Sequence, residues 1–523
     1  MTRNADARRA ALALLLLVPA LGPLGYLLAE ALRAQELAAW FLHYLRGSFT
    51  AQLLTSLQLG VEALAVALLA GVPPALALAR RRFLGRGLVA PLMLAPLLFA
   101  PYVTVGLWST GFAAGWWEGL HGLALQQGLA CAPYVFILFR VAAARLPSSL
   151  GELAAALGAG PWTRLWRVQL PLLAAPLAAS CLVVLALVLG DYAAAARLGI
   201  ATLSVGIHTL WLASQSSQLA ALLCLLLIGP VLAFVALATW AGTRLISQNP
   251  LTPAASAVRL RPLGPLAGLA LWLGVLVVFS LGFALPEWLV LQGLQTAAAA
   301  RTRWASLPSD AWNAAGTALL SAAIALLLAL ALLALLRPGA RAGWIERLPW
   351  LFLANLALPS LVLALAFLMM SADGSLGARL LGEARDSRLL ISTAEALRFF
   401  PLLMLPLLDA LRRLTPGHIE LAQAFGDPPW RARWRAFAGH GLPALGLGLA
   451  LVLLESLRSL DLSLTLQPFG YSAPPLKVYA FSREQMMDRA APWVLVTQAL
   501  MLPAWTYLAW RMLRLGERPD ASH

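Results

Sequence analysis

The stretch GELAAALGAGPWTRLWRVQLP, residues 151–171, interrupts two long apolar runs. It is too polar to continue either of them. It returns downstream as IELAQAFGDPPWRARWRAFAG, residues 419–439. Aligning Glu152 with Glu420 sets an offset of 268. In that register, without a gap, Pro133 falls on Pro401, Gly158 on Gly426 and Pro161 on Pro429. Trp162 falls on Trp430, Trp166 on Trp434 and Arg167 on Arg435. So many Gly, Pro, Trp and Arg matches in one register mark an internal duplication.

The surrounding sequence sets the setting. Of the 523 residues, 61% are hydrophobic and 12% charged, against about 25% charged in ordinary soluble domains. Runs of about 20 apolar residues, enough to cross ~30 Å of hydrocarbon, recur along the chain. The expected class is an all-α polytopic membrane protein with about twelve transmembrane helices. The expected spans lie near 11–31, 51–79, 88–112, 119–144, 172–192 and 217–240, then near 263–285, 313–336, 348–371, 390–411, 442–463 and 492–512. The first is read as an uncleaved span, because its apolar run exceeds the ~7–15 residues of a signal peptide. Residues 243–262, rich in Pro, Ser, Asn and Thr, read as a linker between a first half, 1–242, and a second half, 263–523.

The net charge of +15 does not point to nucleic acid. The basic residues fall mostly in alternate short loops, and roughly 25 of the 38 lie on one side if both termini are cytoplasmic. Trp116, Trp117, Trp288 and Trp350 sit at expected span edges, as interfacial anchors. Both copies of the repeated loop then lie in the cytoplasm. That requires an even number of spans per half and therefore parallel six-helix repeats. Upstream, FAPYVTVGL around Pro101 matches LALPSLVLAL around Pro359 at an offset of 258, so the second half carries about ten extra residues in its outer loop 371–388.

The repeated loop has helix punctuation. Ser149 to Glu152 has the capping-box pattern, in which a hydroxyl takes an orphan amide and the glutamate reaches back. Leu150, Leu153, Ala154 and Leu157 share one apolar face. Gly158 ends the helix, because glycine accepts the left-handed cap. In the second copy Thr415 and Pro416 start the helix, Ile419, Ala422 and Phe425 form the stripe, and Gly426 ends it. A short helix with an apolar stripe suits a protein socket or the lipid interface. Two matched copies favour the socket.

The pattern Glu-x-Ala-x-x-x-Gly, nine residues, a β-branched residue, one residue, Leu-Pro resembles the EAA loop of bacterial binding-protein-dependent ABC-importer permeases. Here it reads Glu152, Ala154, Gly158, Val168, Leu170 and Pro171. The two-half arrangement resembles the fused permeases of ferric-iron and thiamine uptake. The resemblance implies an ABC type I importer fold in the bacterial inner membrane. It implies two cytoplasmic ATPase subunits coupled through Glu152, Ala154, Gly158, Leu170 and Pro171 and through Glu420, Ala422 and Gly426. It also implies a periplasmic solute-binding protein. The second copy departs from the pattern: Ala438 and Gly439 stand at the Leu-Pro positions, and Leu442-Pro443 comes four residues late. The first loop is therefore expected to carry more of the coupling.

The only lysine is Lys477, so the chain lacks a phosphate-binding P-loop, and ATP hydrolysis falls to a separate subunit. Glu62, Asp191 and Glu455 are ionisable residues in or at the ends of spans and are candidates for the pathway, with Asp461 at an outer end. Arg458 stands at i+3 from Glu455 and offers it a local partner. Cys131, Cys181 and Cys224 lie in apolar runs without metal-ligand spacing. The sequence offers no catalytic cluster, metal site or cofactor motif. A twelve-span secondary transporter of the major-facilitator type is the alternative, and it would need no ATPase.

Overall fold

The computed structural model describes residues 2–33, 42–112, 115–144, 153–160, 163, 167, 173–214, 216, 218–226, 228–229, 260–299, 304–336, 345, 348–349, 352, 355, 358–372, 375–412, 417, 420 and 423–515. The described chain is overwhelmingly helical. Its main helices are α1 (Thr2–Leu32), α2 (Thr50–Arg80), α3 (Arg86–Leu94), α4 (Pro101–Gly111), α5 (Leu120–Ala143) and α6 (Ala174–Gly190). Then follow α7 (Pro265–Phe279), α8 (Leu285–Ala299), α9 (Leu307–Leu335), α10 (Ser360–Ser371), α11 (Arg388–Arg412), α12 (Pro429–Arg458) and α13 (Ala491–Arg514). A π-helical turn, Ser280–Ala284, joins α7 to α8.

Among the described residues, six helices are long and apolar enough to cross a membrane, or eight if each of two bent pairs counts as one span. The expected spans at 172–192 and 348–371 hold shorter apolar helices, Pro176–Gly190 and Ser360–Ser371. Most of the expected span 217–240 lies outside the described residues. Residues 243–259 of the linker also lie outside them. At its end, β2 (Arg261–Pro262) pairs in parallel with β1 (Arg81–Arg82).

Two expected spans have different shapes. The span expected at 88–112 is broken, with Arg86–Leu98 and Pro101–Gly111 meeting at 81°. Proline drives its preceding residue out of the helical region, and Ala100 is extended, at φ −78° and ψ 148°. Pro359 likewise stands extended at the start of α10, at φ −55° and ψ 142°. The span expected at 442–463 begins much earlier: α12 leaves the polar loop at Pro429 and continues through Pro443. It stops at Arg458, and Asp461–Leu466 forms a separate short helix.

Packing follows one scheme twice. In the first half α2 packs along α5, and α6 packs on both; in the second half α9, α11 and α12 do the same. The first helix of each half crosses over. α1 packs on α9 and α10, whereas α7 packs on α2 and α3. The apolar window of α5 is 89% buried and that of α11 is 78% buried, whereas the window in Pro265–Gln295 is 22% buried. The central helices are therefore α5 and α11, and α7 and α8 form the rim.

Candidate functional site

Two regions carry polar or exposed groups that packing alone does not require. The first is the repeated loop. Residues 153–156 are helical, and the Leu157 amide donates to the Leu153 carbonyl at 3.0 Å. The Ala159 amide donates to the Ala154 carbonyl at 2.9 Å, and the Gly158 amide to that of Ala155 at 3.0 Å. This six-to-one bond is the Schellman closure, which needs a left-handed residue at the turn. Gly158 supplies it with φ +80°. In the second copy Gly426 has φ +89°, and its amide donates to the Gln423 carbonyl at 2.9 Å. Each glycine is exposed, with open space where a Cβ would stand.

The residue before each glycine is large and apolar. Leu157 is 79% exposed and Phe425 81% exposed, and Leu153 is 60% exposed. Ala154 is half-buried, whereas Glu420 is exposed. Glu152, Leu170, Pro171 and Ala422, together with the capping residues Ser149 and Thr415, lie outside the described residues. Beyond Gly426, Arg435 pairs with Asp427 at 2.7 Å and ties the start of α12 to the loop.

The second region is a small cavity of about 90 Å³ where the halves meet. Pro101, Gln127, Cys131 and Asp191 line it from the first half, and Ser360, Arg398, Glu455, Arg458 and Asp461 from the second. Gly190 permits this meeting. A Cβ there would stand 3.1 Å from Pro359 Cα and 3.3 Å from the Ser360 amide nitrogen. The Ser360 hydroxyl sits 3.0 Å from the Gly190 carbonyl and also bonds the Asp461 carboxylate. Gln127 Nε2 donates to Asp191 Oδ2 at 3.0 Å, and the Ala194 amide donates to Asp191 Oδ1 at 3.1 Å.

Glu455 faces both halves. Its carboxylate accepts from the Tyr134 hydroxyl of α5, and Arg458 Nη1 lies 3.3 Å from Glu455 Oε1. Arg398 donates from Nη1 to the Leu358 carbonyl, just before the start of α10. Charge inside a membrane is tolerated where it pairs or lines a polar cavity. Three carboxylates and two guanidiniums meet here, with hydroxyl and amide partners. The arrangement can hold a polar solute by exchanging protein hydrogen bonds for solute ones.

Asp191 and Glu455 therefore come together in one cluster, with Asp461 beside them. Glu62 does not join them. It sits on α2 with His121 Nδ1 at 2.8 Å and Gln58 Nε2 at 2.9 Å, and its side chain is 31% exposed. The three cysteines are free. Arg398, Gln127, Tyr134 and Ser360 escaped the sequence reading. Arg398 had a signal, being an arginine in the middle of an expected span. Ser360 follows the repeated proline, but a serine there carries no charge pattern to flag it.

No curated protein and no solved structure matches the chain. Residues 63–246, from within α2 past Gly158 and α6, match the family described as binding-protein-dependent transport system inner membrane component, and this supports a permease of a binding-protein-dependent ABC importer.

Proposed function

We propose that the chain is a tandem permease subunit of an ABC uptake system, with two parallel six-helix halves, 1–242 and 263–523, joined by the cytoplasmic linker 243–262. Both termini face the cytoplasm. A periplasmic binding protein delivers a small solute, which passes between the halves through the cavity lined by Asp191 and Glu455. Two ATPase subunits dock on the loops containing Glu152, Ala154, Gly158, Leu170 and Pro171 and Glu420, Ala422 and Gly426.

The observation that carries this reading is the pair of exposed apolar residues, Leu157 and Phe425, each held before a left-handed glycine. A soluble-facing loop gains nothing from exposing such side chains, whereas a partner that buries them gains about 1.5–3 kcal/mol for each. Closure of the ATPase pair on ATP would pull on both loops. The pull would reach α6 and α12, and their far ends carry Gly190 and Arg458 at the cavity.

The test is solute uptake into proteoliposomes holding the permease with its ATPase. ATP with the binding protein should drive uptake, and dissipating ion gradients should leave it unchanged. Uptake that follows a proton or sodium gradient without ATPase would replace this reading with the secondary-transporter one.

A further inference from the structure

Within α11 lies a carboxyl group that the pathway does not use. Glu395 is fully buried in the middle of the candidate span Arg388–Leu408. Its Oε2 atom is 3.0 Å from Ser321 Oγ on α9 and bonds Ser456 Oγ on α12. Its Oε1 atom is buried without a partner. One group thus joins all three core helices of the second half.

Three observations bear on its protonation. First, Ser321 has a single hydroxyl proton and two acceptors within reach, the Thr317 carbonyl at 2.8 Å and Glu395 Oε2 at 3.0 Å. With that proton on the nearer carbonyl, the contact to Glu395 requires a proton on the carboxyl. Second, no cation bonds Glu395 among the described residues. The charged groups nearby are engaged elsewhere. Arg398, on its own helix, bonds the Leu358 carbonyl, and Arg458 on α12 pairs with Glu455. Asp461 takes Ser360, and the Tyr471 hydroxyl lies 2.9 Å from Thr317 Oγ1. Arg388 stands at the start of α11, two turns away. α9 brings no titratable side chain to the level of Ser321. An ionised carboxylate desolvated without a cation is costly in a bilayer. Third, the repeat offset of 268 sets Gln127 at the equivalent place on α5. Glutamine is the neutral isostere of a protonated glutamate.

We propose that Glu395 is a proton-binding site, a neutral carboxylic acid that donates to Ser321 and accepts from Ser456. The proton ties α9, α11 and α12 together. At the same position the first half carries Gln127, whose amide goes to Asp191 instead, so the three-helix tie through a bound proton belongs to the second half.

The experiment is difference infrared spectroscopy of the full chain in nanodiscs at neutral pH, wild type against Glu395→Gln. The expected result is a protonated-acid carbonyl band present in the wild type and lost in the variant, with no change in the carboxylate stretches. Loss of carboxylate intensity instead would overturn the proposal. Thermal unfolding of the same samples gives a second reading. Glu395→Gln keeps both a donor and an acceptor and should unfold at the wild-type midpoint, whereas Glu395→Ala should unfold lower. A Glu395→Gln chain that fails to fold contradicts the proposal. So does a wild-type midpoint that rises when sodium chloride replaces choline chloride, since the oxygen cluster would then be a sodium site.

Discussion

The two parts of the chain on either side of residues 243–262 share a helix-packing scheme but not their polar side chains. α2, α5 and α6 pack as α9, α11 and α12 do, and an extended residue stands at the start of both α4 and α10, Ala100 before Pro101 and Pro359 before Ser360. Yet at the offset of 268 Leu187 stands opposite Glu455, Ala130 opposite Arg398 and Gly190 opposite Arg458. The first half contributes Asp191 to the cavity, and the second contributes Asp461, Glu455, Arg398 and Arg458. Helix packing tolerates many side chains of suitable size. A charge buried beside another half must find its partners, and its identity is tied to one place. On the proposed reading, a duplicated scaffold carries one asymmetric passage.

The sharpest way to break this comparison is to remove a charge from the second half alone. Arg458→Ala leaves Glu455 buried, with both side chains only 7% exposed in the native pair. The expected cost is about 3–5 kcal/mol. Thermal unfolding in detergent checks it, and Glu455→Gln combined with Arg458→Met should recover most of the loss. Equal losses in the single and double variants would show that the two groups are not coupled.

The loops come next. Leu157→Asp and Phe425→Asp should each weaken ATPase binding by about 2 kcal/mol, on the order of 30-fold, as truncation of a buried interface anchor does. Both side chains are exposed, so the unfolding midpoint of the isolated permease should hold. The departure of the second copy from the Leu-Pro pattern predicts the larger loss for Leu157→Asp. Titration of the ATPase against each variant decides, and equal losses would make the loops equivalent.

A smaller effect tests the seam. Gly190→Val forces a side chain against Pro359 and should cost about 1–3 kcal/mol, read from thermal unfolding. No loss would mean that the contact between α6 and the start of α10 is loose. The smallest effect is expected at Glu62→Gln. The exposed Glu62–His121 pair at 2.8 Å contributes about 0–1 kcal/mol. Uptake should be unchanged, and a clear drop would return Glu62 to the pathway.

The helical membrane class was legible because membrane spans announce themselves by length and apolarity, and six to eight of about twelve expected spans have helices long and apolar enough among the described residues. Gly158 and Gly426 were legible as helix stops, since a left-handed cap narrows the choice of residue. The broken span at 88–112 was written in Pro101 but needed the neighbouring backbone to show its 81° bend. The long run of α12 from Pro429 was hidden by Pro443, which a helix tolerates when its surroundings satisfy the freed carbonyl. The cavity was only partly legible. Asp191 and Glu455 were visible as charges in apolar runs, but Gln127, Tyr134 and Ser360 carry no charge. Their role comes from which helices touch, and only packing decides that.

The most direct test of the central claim is co-purification of the permease with the proposed ABC ATPase subunit, in mild detergent, for the wild type and for Gly158→Pro combined with Gly426→Pro. Proline requires φ near −65° and donates no N–H. Both glycines sit at positive φ and donate their amides, at 3.0 and 2.9 Å. The wild type should retain ATPase in stoichiometric amount, and the folded double variant should retain none. A folded double variant that holds as much ATPase as the wild type would contradict the claim that these two loops are where the ATPase docks.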